Sequence, residues 1–331
     1  MRAMILAAGL GTRLRPLTWV RPKVLQPLMG MTLLEYWAER LASAGFEAVV
    51  VNAHHLADRL EAFVHERSWP LPLHVIREPV LLGTGGGLRN AVSLLGDGPV
   101  LAVNGDTACD AALAHLRQVH ETSGAKATLL VHDCPPFNNV AVDAAGRVRG
   151  FGERGEELCR RDSAVRLLAF TGIHVVDSKA LDYFPRGKPA SILELYKDLI
   201  ARGDPARAVF RSTLTWRETG TVAAYWSLHR HLAAVDDGGL APLPSGSPVR
   251  VHHSAVLEGD VRLEGMVVLD RACRLRGPVR LKDVIAWNGV AFAPGTDLET
   301  CIVTDGTAVA GSHRHCILTK EKGTFPFHPN D

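Results

Sequence analysis

Several features are scarce or missing in this chain of 331 residues, and each omission excludes a class of protein. No apolar run approaches the roughly 18 residues of a membrane-spanning helix. The opening MRAMILAAGLGTRL offers only Met4 to Ala8 before its first glycine, short of the about 7–15 apolar residues in a secretory leader. Charge of neither sign dominates: the formal net charge is +2, which argues against a broad nucleic-acid surface and makes any basic cluster a local feature. Cysteine is sparse and scattered (109, 134, 159, 273, 301 and 316) with no C-x-x-C pair, a pattern of reduced thiols rather than a disulfide framework. The histidine pairs His54-His55 and His252-His253 and the run Ser312 to Cys316 lack standard zinc spacing. These absences predict a cytoplasmic protein with no nucleic-acid or membrane partner.

A hydrophobic content of 47% with 22% charged residues is ordinary for a globular protein, and the length predicts two domains. Through about residue 235 strand and helix patterns alternate. Buried strands are expected at 47–53, 71–77, 99–106, 127–133 and 166–177. Helices are expected at 32–44, 55–67, 87–95, 191–203 and 221–235. Residues 140–153 read as a hairpin turning at Ala145-Gly146. The strand at 99–106 collects its polar residues, Asn104 and Asp106, at its carboxyl end, where open α/β sheets bind ligands. Residues 236–248, rich in Gly, Pro, Asp and Ser, read as a linker. Beyond it glycine stands at 259, 265, 277, 289 and 295, with small or apolar residues two positions later: Val261, Val267, Cys273, Val279, Ile285 and Ala291. A period of six matches a parallel β-helix built from hexapeptides, with those side chains pointing inward. Arg271 and Asp283 interrupt the glycine series. About six hexads give two to three coils, whose open end predicts a homo-oligomer. Residues 312–331 show no readable pattern and are taken as a tail.

The densest chemistry lies at residues 3–28. An apolar run enters Gly9-Leu10-Gly11, followed by Arg13, Arg15, Arg21 and Lys23. Glycine lets backbone N–H groups approach an anion, and the cations can neutralise several phosphate charges. Leu14 occupies the third-glycine position of a dinucleotide fingerprint, and a Walker G-x-x-x-x-G-K-[ST] is missing. What remains is L-A-A-G-x-G-T-R-L-x-P-L-T-x-x-x-P-K-x-L, which resembles the signature of the sugar-1-phosphate nucleotidyltransferases, also called nucleotide-sugar pyrophosphorylases, and among them the mannose-1-phosphate guanylyltransferase-like group.

The resemblance implies an α/β fold: a Rossmann-like mixed-sheet nucleotidyltransferase domain (1–235), the linker (236–248), and a short left-handed parallel β-helix (249–311). It also implies the reaction of an NTP with a sugar 1-phosphate to give an NDP-sugar and pyrophosphate. By this likeness Leu6, Ala7, Ala8, Gly9, Gly11, Thr12 and Arg13 surround the triphosphate. Arg13 and Lys23 are the catalytic cations, and Arg15 and Arg21 stay open between phosphate contact and surface charge. Asp106 matches the aspartate that holds Mg²⁺. Glu218, in Trp-Arg-Glu-Thr-Gly-Thr, replaces the second metal-binding aspartate of a W-x-D-V-G-T pattern, and its extra methylene moves the carboxylate. Glu78 and Gly83 lie in a base-recognition loop. A carboxylate at 78 suits the two donors of a guanine edge and leans toward GTP, with UTP and dTTP as the other candidates. On the sugar-phosphate side the likeness assigns Asn139, Glu153, Arg154 and Gly172. Hexose and N-acetylmuramate 1-phosphates, and a regulatory subunit that binds nucleotide sugars without turnover, are the alternatives.

Overall fold

A computed structural model describes residues 1–235 and 239–329. The chain divides into two compact units, one made of Met1–Leu10 and Trp37–Trp216 and the other of Gly11–Tyr36 and Arg217–Asp331. The division falls inside the glycine loop, between Leu10 and Gly11.

The first unit is built on a nine-stranded mixed sheet: β1 Arg2–Leu6, β2 Val49–Ala53, β3 Leu73–Arg77, β4 Pro99–Asn104, β5 Ala127–His132, β6 Asn138–Val142, β7 Val148–Phe151, β8 Arg166–Asp177 and β9 Arg207–Arg211. The path runs β7-β6-β8-β4-β1-β2-β3, with β5 pairing both β8 and β9. Strands such as VVVNA and ATLLVH are buried at every position, as expected of strands covered on both faces. β1 lies between β2 and β4, parallel to both, with Ile5 opposite Val51 and Leu6 opposite Asn104. β3 continues this parallel set beside β2. The carboxyl ends of β1 to β4 therefore share one edge of the sheet. β8 runs antiparallel to β4, β5 and β6, and slips register between Phe170 and His174, around Gly172 at φ 78°. The expected hairpin is the antiparallel pair β6–β7, with Gly146 N–H donating to Asp143 O in its turn.

Helix α1, Gly83–Leu95, starts four residues before its expected beginning, so four glycines, at 83, 85, 86 and 87, lie within it. Helical glycine costs about 1 kcal/mol relative to alanine; close packing explains its use here. A Cβ on Gly85 would lie 2.6 Å from the Phe184 ring, one on Gly86 2.4 Å from Lys188 O, and one on Gly87 2.9 Å from Glu78 Oε1. Helix α2, Ile192–Ala201, begins in a capping box between Ser191 and Glu194, and its Leu195, Tyr196 and Leu199 join Leu88, Ala91 and Phe184 in the core.

In the second unit, helix α3, Val222–Ala234, is capped by the Thr221 hydroxyl accepting from Ala224 N–H. Of the expected linker, 236–238 lie outside the described residues; beyond them Leu240 and Leu243 are buried. From Val249 two parallel ladders stack. One joins Val249–Val251, Val261–Leu269, Val279–Ala286, Thr296–Val303 and Ser312–Thr319; the other joins Val256–Glu258, Arg274–Arg276, Ala291–Phe292 and Ala308–Val309. Gly323–Pro326 then pairs antiparallel with the last long strand, so residues read as a tail carry ordered strands.

The period of six is not kept. Val261 pairs with Val279, eighteen residues on, but Val279 pairs with Thr296, only seventeen on. The slip occurs at one corner, where Gly265 and Met266 in one coil face Asp283 alone in the next. Asp283 adopts φ 52°, its Oδ1 accepts from Met266 N–H, and its carboxylate fills the space a Cβ on Gly265 would need. Val284 and Val290 consequently take the inward positions expected for Ile285 and Ala291, beside Val267, Cys273 and Val279.

Candidate active site

The polar residues of the first unit converge at the carboxyl edge of β1 to β4. Ala7 N–H donates to Asn52 Oδ1 at 2.7 Å, and Asn52 Nδ2 donates to Glu78 Oε1 at 2.7 Å. Glu78 Oε2 accepts from Leu82 N–H at 3.1 Å. This relay ties the start of the glycine loop to the loop that follows β3. Glu78 is only 3% exposed, so its carboxylate is turned inward and shapes the 78–82 loop. A buried carboxylate is tolerable when both oxygens accept hydrogen bonds. Asn52 was missed in reading the sequence. Its signal was the one visible at Asn104: a polar residue closing an otherwise apolar strand.

Gly9 is exposed, and a Cβ there would meet nothing within 4 Å. Leu6 and Ala7 are half-buried and Ala8 is buried. Gly83, exposed at φ 69°, sits against Ala190 O, which a Cβ would approach to 2.7 Å. Asp106 follows β4 and accepts from its neighbour Thr107 Oγ1 at 3.3 Å. The room left by the missing side chain of Gly172 is filled by Asn104: a Cβ would come within 2.2 Å of Asn104 Nδ2. Gly172 thus admits the asparagine that closes β4, whereas the sequence reading gave that space to sugar. Asn139 and the Glu153–Arg154 pair are exposed and drawn together, because Gly152 N–H donates to Asn139 O at 2.7 Å.

The second unit holds the cationic part of the loop. Gly11 is left-handed (φ 59°), and its carbonyl accepts from Thr18 Oγ1 at 2.8 Å. A single 3-10 turn, Thr12–Leu14, presents Arg13 with its side chain 68% exposed. Arg13 Nη2 meets Glu218 Oε1 at 3.1 Å. Gly220 permits that meeting, since a Cβ there would lie 2.4 Å from Glu218 Oε1 and 3.2 Å from Arg13 Nη2. Lys23 opens a second 3-10 turn, Lys23–Leu25, after Pro22. Arg15 is exposed, while Arg21 is buried.

Among the described residues no group of three or more His, Cys, Asp or Glu is placed to hold a metal ion. Mg²⁺ bound with nucleotide usually takes one or two carboxylates, with phosphate oxygens and water completing an octahedron. Asp106 in the first unit and Glu218 in the second are each carboxylates, oxygen donors of the kind that Mg²⁺ accepts.

The family model described as nucleotidyl transferase matches residues 2–235. A mannose-1-phosphate guanylyltransferase of Mycobacterium tuberculosis is 29% identical over 323 residues, 96% of this chain and 83% of the relative. A UTP–glucose-1-phosphate uridylyltransferase of Synechocystis is 27% identical over 84% of this chain and 77% of its own length. An N-acetylmuramate alpha-1-phosphate uridylyltransferase of Caulobacter vibrioides is 35% identical over 215 residues, 61% of this chain and 85% of the relative.

Proposed function

This chain belongs to the nucleotidyl transferase family and is an enzyme of nucleotidyl transfer to a sugar 1-phosphate, and on that footing we propose that it makes GDP-mannose from GTP and mannose 1-phosphate. One observation carries the choice of substrates: the similarity to the mycobacterial guanylyltransferase extends over 96% of this chain, through the C-terminal ladders. A second reading, uridylyl transfer to a hexose or N-acetylmuramate 1-phosphate, is favoured by the higher identity of the Caulobacter relative over a shorter span.

In the proposed reaction a phosphate oxygen of the sugar attacks the α-phosphorus in line and pyrophosphate leaves. Attacker and target are both anions, so the protein's task is positioning and charge neutralisation. We assign Arg13 to the departing phosphates, a role that its exposed guanidinium supports. Lys23 is assigned to the α-phosphate and the incoming sugar phosphate. Leu6, Ala7, Ala8, Gly9, Gly11 and Thr12 line the nucleotide, and the 78–83 loop meets the base, with Glu78 holding that loop in shape. Asn139, Glu153 and Arg154 are assigned to the sugar-phosphate side. Asp106 and Glu218 would hold Mg²⁺, which when bound spreads the charge of the phosphates. We read the C-terminal ladders as a left-handed β-helix, 1–235 as the catalytic domain, and the open end of the ladders at Val249–Val251 as the place where a second copy joins.

Incubating the enzyme with Mg²⁺, each NTP in turn and a panel of sugar 1-phosphates, while following pyrophosphate release, tests the assignment. The highest kcat/KM is expected for GTP with mannose 1-phosphate. Preference for UTP with N-acetylmuramate 1-phosphate would replace it with the second reading.

A further inference from the structure

Of the four cations near the glycine loop, Arg15 and Arg21 stay open in the sequence, and Arg21 is the one that is buried. It is 8% exposed, and its partners lie far along the chain but within the same unit. Arg21 Nε donates to Asp305 Oδ2 and Nη2 to Asp305 Oδ1, both at 2.6 Å. The guanidinium lies 5.3 Å from the centre of the Trp287 ring. With the Asn288 amide oriented to satisfy both neighbours, its oxygen accepts from Arg21 Nη2 at 2.8 Å and its nitrogen donates to Asp270 Oδ2 at 2.9 Å. The remaining nitrogen, Nη1, donates to Leu25 O at 3.2 Å. That bond spans the Lys23–Leu25 turn. Arg21 is thus held on one side by a corner of the C-terminal ladders and clasps, on the other, the turn that carries Lys23.

The same segment is gripped nearby. Tyr225 OH donates to Pro27 O at 2.6 Å and accepts from Trp287 Nε1 at 3.0 Å. Successive turns of one corner, Arg271, Asn288 and Asp305, each reach residues of 11–36; Arg271 does so through Glu35 at 3.9 Å. A bidentate guanidinium–carboxylate pair fixes orientation as well as distance, so such an anchor determines where a short, tight turn points.

We propose that Arg21 and Asp305 are a positioning pair for Lys23, so that a residue of the C-terminal ladders sets the geometry of the reaction carried out near the N-terminus. Arg21 is not a phosphate ligand in this assignment. The proposal builds on the role given to Lys23 in the proposed function, and its test keeps the two separable. Asp305→Asn retains the shape of the side chain and removes its charge. Its kcat should fall at least about tenfold while KM for the nucleotide changes less than about threefold, because a misdirected lysine harms the transition state more than ground-state binding. The rate of acetylation of Lys23, read by peptide mass spectrometry against exposed Lys188 in the same sample, should shift by about threefold or more, in a measurement that needs no turnover. Asn288→Ala, which leaves the ion pair in place and removes one bridge, should move both readouts in the same direction by a smaller factor, and serves if Asp305→Asn does not fold. Wild-type kcat in a folded Asp305→Asn or, if that variant does not fold, in Asn288→Ala overturns the proposal, as does an unchanged Lys23 rate in the same variant. So does an Arg21→Lys enzyme whose nucleotide KM rises tenfold while Asp305→Asn is silent, because Arg21 would then bind phosphate directly. If the wild-type enzyme accepts no substrate pair, the proposed function fails, while the acetylation comparison still reports whether Asp305 governs Lys23.

Discussion

Gly220→Ala is the most informative single methyl group to add. The new Cβ would lie 2.4 Å from Glu218 Oε1, where ordinary contact begins at 3.4 Å. Glu218 must therefore retreat by about 1 Å, and Arg13 Nη2, which would be 3.2 Å from the same carbon, must give slightly. Oε1 is the far end of a flexible side chain, so the retreat costs the fold little. The melting temperature should stay within about 1–2 °C of wild type, the shift expected for about 1 kcal/mol in a protein of this size. Catalysis has no such latitude. With Glu218 in the metal-holding role proposed for it, a displacement of about 1 Å is expected to lower kcat/KM by about 10–100-fold, up to about 2.7 kcal/mol of transition-state stabilisation. Pyrophosphate release and a thermal melt measure the two quantities on one preparation. Gly86→Ala is the matched contrast: its Cβ meets the Lys188 carbonyl at 2.4 Å, and backbone cannot step aside. That variant should lose about 1–3 kcal/mol of stability. Wild-type kcat/KM in Gly220→Ala, or a melting point as depressed as that of Gly86→Ala, would refute the reasoning.

Other perturbations test other parts of the structure. Lys23→Ala and Asp106→Ala should each abolish turnover with circular dichroism unchanged; full activity in either removes that residue from the assigned chemistry. Asn52→Ala strips buried Glu78 of one partner and Ala7 N–H of its acceptor, and should cost about 2–3 kcal/mol in urea denaturation, with a loss under 0.5 kcal/mol, about the scatter of neutral surface changes, speaking against the relay. Burial lowers the pKa of His174 from 6.5 to about 3, and neither ring nitrogen has a hydrogen-bond partner among the described residues. The unfolded chain thus binds the extra proton between those values. The stability tied to this histidine is complete above pH 6.5 and is lost as pH falls toward 3, by about 2 kcal/mol at pH 5. His174→Leu should lose correspondingly less between pH 7 and pH 5; equal losses would contradict this.

What the sequence disclosed and what it concealed follow from the range of the interactions concerned. Alternating strand and helix patterns are local, so the strands VVVNA and ATLLVH and the hairpin at Ala145-Gly146 were legible. The family signature around the glycine loop was legible because its residues lie close together in the chain. Arg21 was not, because the carboxylate that decides its role lies 284 positions away. Gly85 and Gly86 suggested a loop before the helix, since propensity records only their conformational cost; the reasons for them are Phe184 and Lys188. Gly172 was given to sugar for a similar reason: a missing side chain is visible in sequence, and the group that fills the gap is not. The hexad count misplaced Ile285 and Ala291 because a single left-handed aspartate can turn a corner that takes two residues one coil earlier.

That corner also bears on how such a protein can change length. Gly265-Met266, Asp283 and Thr300 turn successive coils with two, one and one residues, while the strands on either side stay aligned. Insertions and deletions at this edge are absorbed where they occur, so short segments could be added there without disturbing the coils above or below. The edge formed by Arg271, Asn288 and Asp305 has no such freedom, since each of its residues is matched to a particular partner within residues 11–36. The same ladder therefore has one edge open to variation in length and one fixed to it. Natural or engineered diversity in the C-terminal half should accumulate at the first edge and be excluded from the second.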